Sequence, residues 1–166
     1  MAELKSLDEY DGQTTDELIG LEGKYSTDSI VWAFERALLQ KSERVGDDKL
    51  TEEERIFMAI KALECEVLNG GYGQFFVNCS DIYAPMIIQA LRRIGCLKIA
   101  EITEKARKIL QEQPMTGEEI ENGTWEDNED RQRKLDECDE QYYKHPENYT
   151  ESLLAFVKAN RTKIKL

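Results

Sequence analysis

One histidine, His145, is all the imidazole this 166-residue chain contains, and a proline follows it. The four cysteines, Cys65, Cys79, Cys96 and Cys138, lie 14, 17 and 42 residues apart without a CxxC pair. A structural zinc site draws on clustered Cys and His ligands, so no metal and no other cofactor is expected. Three of the four cysteines sit among apolar neighbours and read as small buried hydrophobes. No apolar run approaches the length of a membrane-crossing helix. The opening MAELKSLDEYDGQTTDEL has acids where a signal peptide needs a positive segment and an apolar one, so the expected location is cytoplasmic. Sustained period-two alternation is missing as well, and with it the case for a sheet.

Bases are scarce beside acids. Lys and Arg number 22 against 34 Asp and Glu, a net charge of −12. The imbalance is uneven: 15 acids to 7 bases over residues 1–55, 6 to 7 over 56–113, and 13 to 8 over 114–166. A nearly neutral middle between acidic ends implies a central core under an acidic coat. Direct nucleic-acid binding needs a basic patch, and only the last nine residues approach one. A basic protein is the better partner for such a surface.

What the chain has in quantity is helical periodicity. Ile30, Phe34, Ala37 and Leu38 recur at helical spacing between about Asp28 and Arg44, with Ser26 or Thr27 as cap. Thr51 and Glu54 form a capping box ahead of Ile56, Phe57, Ile60, Leu63, Val67 and Leu68. DIYAPMIIQALRRIG is apolar nearly all round, with Pro85 near its first turn and Gly95 as terminator. Ile99, Ile102, Ala106, Ile109 and Leu110 mark a helix over about 97–113, with Glu101–Lys105 and Glu104–Lys108 as outward pairs. An acidic loop over 114–127 leads to a helix over about 128–143 that buries Leu135, Cys138 and Tyr142. Thr150 then caps a last helix. The expectation is an all-α, single-domain bundle of six or seven helices, with a glycine-marked break near residues 69–73. An acidic segment (1–27) precedes the helical domain (28–160), and a basic tail (161–166) follows it.

The break, LNGGYGQFFVN, could cradle a phosphate, turn a hairpin or interrupt a helix. A P-loop requires Lys-Ser/Thr after its glycines, and a Rossmann fingerprint requires a strand before them; here a helix precedes and Tyr-Gly-Gln-Phe-Phe follows. Helical flanks also rule out a hairpin. The stretch reads as a helix end, with Asn69 and Gly70 left-handed, Tyr72, Phe75 and Phe76 folded inward, and Asn78 or Ser80 capping the next helix. Glu64, Glu66 and Asp81 around it could pair for acid–base work, but helix-surface charge and capping are their simpler roles. A Cys79–His145 pair has no support in the spacing. No catalytic constellation stands out, and the chain reads as non-enzymatic.

Asn-Gly-Gly-aromatic-x-Gln-aromatic-aromatic-x-Asn, here Asn69 to Asn78, resembles the signature of a bacterial all-helical domain of unknown function whose family contains a DNA-mimic protein. Glu66 before the motif and LDECDEQYY…YTESLLAFVKAN after it fit the resemblance, which spans roughly residues 28–160. It implies structural roles for Glu66, Asn69, Gly70, Gly71, Tyr72, Gln74, Phe75, Phe76 and Asn78, and no established catalytic activity. For the mimic member, it implies an acidic surface that occupies a DNA-binding protein. Arg131, Arg133 and Lys134 on the acidic helix, and Lys158, Arg161, Lys163 and Lys165 near the end, depart from a uniformly acidic mimic.

The leading expectation is therefore an acidic interaction protein that occupies the basic surface of a DNA-binding regulator. Its contacts would be Glu43, Asp47, Asp48, Glu52, Glu53, Glu118, Glu119, Glu121, Glu129, Asp136 and Glu140 as phosphate surrogates. Asp136 and Glu140 would stand about 6 Å apart along a helix, comparable with the spacing of backbone phosphates. Neither direct nucleic-acid binding nor membrane association is expected. The alternative is a small-molecule-binding domain or enzyme with a pocket at the glycine break, using Glu66, Asn69, Tyr72, Gln74 and Asn78. A toxin–immunity role, with acids blocking a basic nuclease, shares the leading surface.

Overall fold

A computed structural model describes residues 4–144 and 147–166 of the chain. Its α-helices are α1 (Thr15–Ile19), α2 (Thr27–Val45), α3 (Glu52–Asn78), α4 (Ile87–Arg93), α5 (Leu97–Glu112), α6 (Gly117–Asn122), α7 (Glu129–Tyr143) and α8 (Tyr149–Ala159). No β-strand occurs among the described residues, so the all-α class holds. Contacts gather in two compact units, one of residues 1–58 with 148–166 and one of residues 59–147.

In the first unit, α2 packs against α8 and α1. Ile30, Phe34 and Leu38 of α2 and Leu153, Leu154 and Val157 of α8 are buried. Removing a side chain of that size from water stabilises by about 1.5–3 kcal/mol. Ser26 caps α2, accepting the Ser29 N–H at 3.3 Å. The predicted box at the head of α3 is present: Thr51 N–H donates to Glu54 Oε2 at 3.0 Å and Glu54 N–H donates to Thr51 Oγ1 at 3.2 Å. Asn148, not Thr150, caps α8, accepting the Glu151 N–H at 3.2 Å.

The basic end of the chain is built into this unit. Ile164 is fully buried. Thr15 donates to the Ile164 carbonyl at 2.6 Å, Thr51 to that of Lys163 at 3.0 Å, and Lys41 to that of Lys165 at 2.7 Å. Near the other end, the Ser26 N–H donates to the Lys5 carbonyl at 2.8 Å.

In the second unit, α5 packs against both α4 and α7. Ile99, Ile102 and Ala106 of α5 and Leu135, Cys138 and Tyr142 of α7 are buried as their spacing predicts. The outward pairs expected within α5 are replaced by others, two reaching neighbouring helices and one within α5 itself. Lys105 reaches Glu137 of α7 at 3.7 Å, and Glu104 takes Arg92 at 3.1 Å and Arg107 at 3.7 Å. The acidic loop of residues 114–127 holds the short α6, opened by a Thr116–Glu119 capping box and closed by Gly123 at φ +67°.

The region of the break departs from expectation in several ways. Helical geometry is interrupted at Gly70–Gly71, as the glycine-marked break predicts, and a second helical stretch then runs to Asn78 within α3. Leu68, placed on the inward stripe, is 49% exposed. Pro85 precedes α4, whose N-cap position is Met86 without a side-chain cap, so neither Asn78 nor Ser80 caps it. Gly95 ends α4 at φ +83° as predicted. His145 lies outside the described residues.

Candidate functional site

The glycine break is a filled structural joint in the second unit. Gly71, not Asn69 or Gly70, carries the positive φ, +74°. Gly70 has an extended φ of −161°, open to any residue. Its constraint is space, since a Cβ there would lie 2.7 Å from the Gln74 Cδ. At Gly71 a Cβ would strike the Asp139 carboxylate, 2.8 Å from its Cγ. That carboxylate, buried on α7, accepts the Tyr72 N–H at 2.8 Å through Oδ1. A helix broken at two glycines leaves backbone donors unpaired, and Asp139 satisfies one of them from a neighbouring helix. Burial pushes the Asp139 carboxyl up to about 6, an effect the Tyr72 hydrogen bond opposes and Asp136 reinforces.

The remaining groups of the motif are also engaged. Glu66 Oε2 accepts both Gln74 Nε2 and Asn78 Nδ2, each at 2.8 Å, which ties the two halves of the bent helix together. Tyr72 is buried, its hydroxyl 2.8 Å from Thr103 Oγ1 and its ring edge-on to Tyr142 at 6.0 Å. Burial drives its phenol well above the ordinary range. Tyr143 donates to the Val67 carbonyl at 2.9 Å. Phe75 is buried and Phe76 half-buried, their rings 5.2 Å apart. Asn69, exposed, approaches Cys65 Sγ at 3.5 Å. Apart from Asn69, these polar groups are hydrogen-bonded within the second unit.

Among the cysteines, Cys79, Cys96 and Cys138 are buried and Cys65 is exposed. Burial raises the thiols of Cys79 and Cys138 to about 11, so neither is primed as a nucleophile. Among the described residues, no group of three or more His, Cys, Asp or Glu is placed to hold a metal ion.

The acids singled out from sequence fall into one set on each unit. On the first, Glu43, Asp47, Asp48 and Glu52 are exposed, while Glu53 is only 4% exposed and takes Lys163 Nζ at 2.8 Å. Asp47 accepts the Ser42 hydroxyl, and Asp48 pairs with Lys49 at 3.1 Å. Glu54 is wholly buried, accepting Lys41 Nζ and the Lys165 N–H at 2.8 Å each. Glu53 is thus spoken for as a surface contact.

On the second unit, Glu118, Glu121, Glu129, Asp136 and Glu140 are exposed and form no ion pair among the described residues. Asp136 accepts the Gln132 amide at 2.8 Å. Glu119 closes the α6 capping box and pairs with Arg131 at 2.9 Å, and that guanidinium foremost draws its carboxyl below the usual range.

The bases that interrupt the acids are themselves occupied. Arg131 is buried, donating to the carbonyls of Pro114 at 3.1 Å and Trp125 at 2.6 Å as well as to Glu119. Arg133 pairs with Asp130 at 2.9 Å and Glu137 at 3.1 Å, and Lys134 pairs with Asp130 at 2.7 Å. Lys134 foremost, then Gln113 and Arg133, hold the Asp130 carboxyl far below its usual range. In the first unit, Lys158 pairs with Glu22 at 2.6 Å and Arg161 with Asp16 at 3.7 Å. Sequence reasoning missed Asp139 and the burial of Arg131, because a charged residue one position from the inward Cys138, or at a helix start, reads as solvated. The available signal was their place on the inward stripe with Leu135 and Tyr142.

These features define an all-helical acidic domain with a bent helix at its glycine joint. The chain belongs to the DMP19-like protein family, whose model matches residues 48–160. That span takes in the glycine break and the last two helices, and begins at residue 48 where the resemblance began near 28. No curated protein and no solved structure matches the chain. Among the described residues, no helix is long and apolar enough to cross a membrane.

Proposed function

We propose that this protein is a non-enzymatic acidic interaction protein whose exposed carboxylates stand in for DNA phosphates and occupy the basic surface of a DNA-binding protein. The observation that carries this reading is the pairing of the bases. Arg131, Arg133 and Lys134 are each tied to acids of their own unit, while Glu118, Glu121, Glu129, Asp136 and Glu140 remain exposed and without a cation among the described residues. A partner would therefore meet net negative charge even where the sequence interleaves Lys and Arg. Membership of the DMP19-like family is consistent with the role.

Surface carboxylates that act as phosphate surrogates attract a partner by long-range steering and lose it to salt, since charges are screened over about 8–10 Å near physiological ionic strength. The immobilised protein should retain a DNA-binding protein from a lysate at low salt. Added duplex DNA should displace it, because both ligands use the same face. Retention of no DNA-binding protein at low salt, or retention indifferent to duplex DNA, contradicts the reading.

A further inference from the structure

The second unit has an open cavity of about 300 Å³ on the face shared by α5 and α7, away from the glycine break. Lys98, Glu101 and Ile102 line it from α5, and Gln141 and Lys144 from the end of α7. The volume sits at the lower end of the range for small-molecule sites. Ile102 supplies an apolar floor, and the other four present charged or amide groups.

Among the described residues, the polar side chains lining this cavity are uncommitted, as is Glu140 beside Gln141. Farther along the same two helices, Lys105 and Glu137 bridge α5 to α7, and Arg107, Arg133 and Lys134 have carboxylate partners. Lys98, Glu101, Gln141 and Lys144 make no side-chain hydrogen bond or ion pair among the described residues. Glu101 on α5 and Lys144 after α7 are opposite charges lining one cavity, yet they do not pair as Lys105 and Glu137 do. The described lining carries two ammonium groups and one carboxylate, and the Glu147 carboxylate accepts the N–H of Ile99, next to Lys98, at 2.9 Å.

We infer that this cavity binds a small amphoteric acid with two acidic groups and one amine, the chemistry of a dicarboxylic amino acid. Such a ligand is complementary group by group. Its carboxylates face Lys98 and Lys144, its ammonium faces Glu101, its methylenes lie on Ile102, and the Gln141 amide can donate or accept. A basic amino acid would instead set like charge against the two lysines. The inference stands apart from the proposed acidic contact surface, since none of these residues belongs to it.

The test is an NMR titration of the full chain with L-glutamate, glutarate, L-lysine and sodium chloride at matched ionic strength. Glutamate should shift backbone amides around 98–102 and 141–144 with a Kd on the order of 1 mM, and glutarate, lacking the amine, should bind roughly tenfold more weakly. L-Lysine should bind least. Glu101→Gln should erase the preference for glutamate over glutarate, and Lys98→Gln with Lys144→Gln should abolish both responses. These are exposed or half-exposed positions, so the same spectra report that the variants are folded. Shifts reproduced by sodium chloride alone, shifts elsewhere in the unit, or a preference that survives Glu101→Gln would overturn the inference.

Discussion

Replacing Asp139 by asparagine isolates what it costs to keep a carboxylate at the glycine joint. In the folded protein this buried group accepts the Tyr72 N–H at 2.8 Å, and its pKa rises from 3.8 to about 6. Between those values the native state holds a proton that the unfolded chain has released. Its contribution to stability is therefore complete below about pH 4, is lost as pH rises towards 6, and is flat above. The loss amounts to about 3 kcal/mol, at 1.36 kcal/mol for each pH unit between the two values. The asparagine side chain would keep a carbonyl acceptor for Tyr72 without the charge. The upward shift already includes the opposing Tyr72 hydrogen bond, so Asp139→Asn should be more stable than the parent by about 3 kcal/mol at pH 8. The advantage should vanish towards pH 4. Urea unfolding from pH 4 to 8 measures it, with the difference between proteins as the readout. Glu17, Glu119 and Asp130 are shifted downwards and impose the opposite slope on both. Parallel pH profiles, or a variant that loses several kcal/mol at pH 8, would refute the reasoning.

Gly71→Ala should destabilise by at least about 1–2 kcal/mol from left-handed strain alone. The clash with Asp139 adds to it, so Asp139→Ala should relieve part of the cost in a double-mutant cycle of urea midpoints. Arg131→Met removes a buried guanidinium that holds Pro114, Glu119 and Trp125. It should cost on the order of 3 kcal/mol, and amide exchange should quicken over residues 116–127 first. Thr51→Ala deletes the cap of α3 and a bond to the Lys163 carbonyl, and should cost about 1 kcal/mol by thermal or urea denaturation.

The helices were legible in the sequence because their apolar residues recur at helical spacing and their starts carry capping residues. Ile99, Ile102 and Ala106 are buried as their period requires, and the Thr51–Glu54 box forms as written. The bend at Gly70–Gly71 was visible as a break, but its course was not. Whether a chain ends a helix or resumes it depends on what satisfies the freed backbone, and here that is Asp139, 67 residues away. The same non-locality hid the joining of Gln74 and Asn78 to Glu66, and the docking of the basic tail, where Ile164 is buried and Lys163 is paired with Glu53. Charge read from sequence overcounted the surface acids by Glu53 and overcounted the interrupting bases by Arg131, Arg133 and Lys134. Only the folded chain shows which charges cancel at home.

Competition for a single partner tests the proposed role most directly. A DNA-binding protein retained by this chain would be loaded with fluorescent duplex DNA, and the anisotropy followed as the acidic protein is added. The account predicts full release of the DNA, weakening steeply with salt. A variant with Glu129→Gln, Asp136→Asn and Glu140→Gln should need roughly tenfold more protein to do the same. Release that is insensitive to the triple substitution, or a ternary complex in which the DNA stays bound, would contradict it.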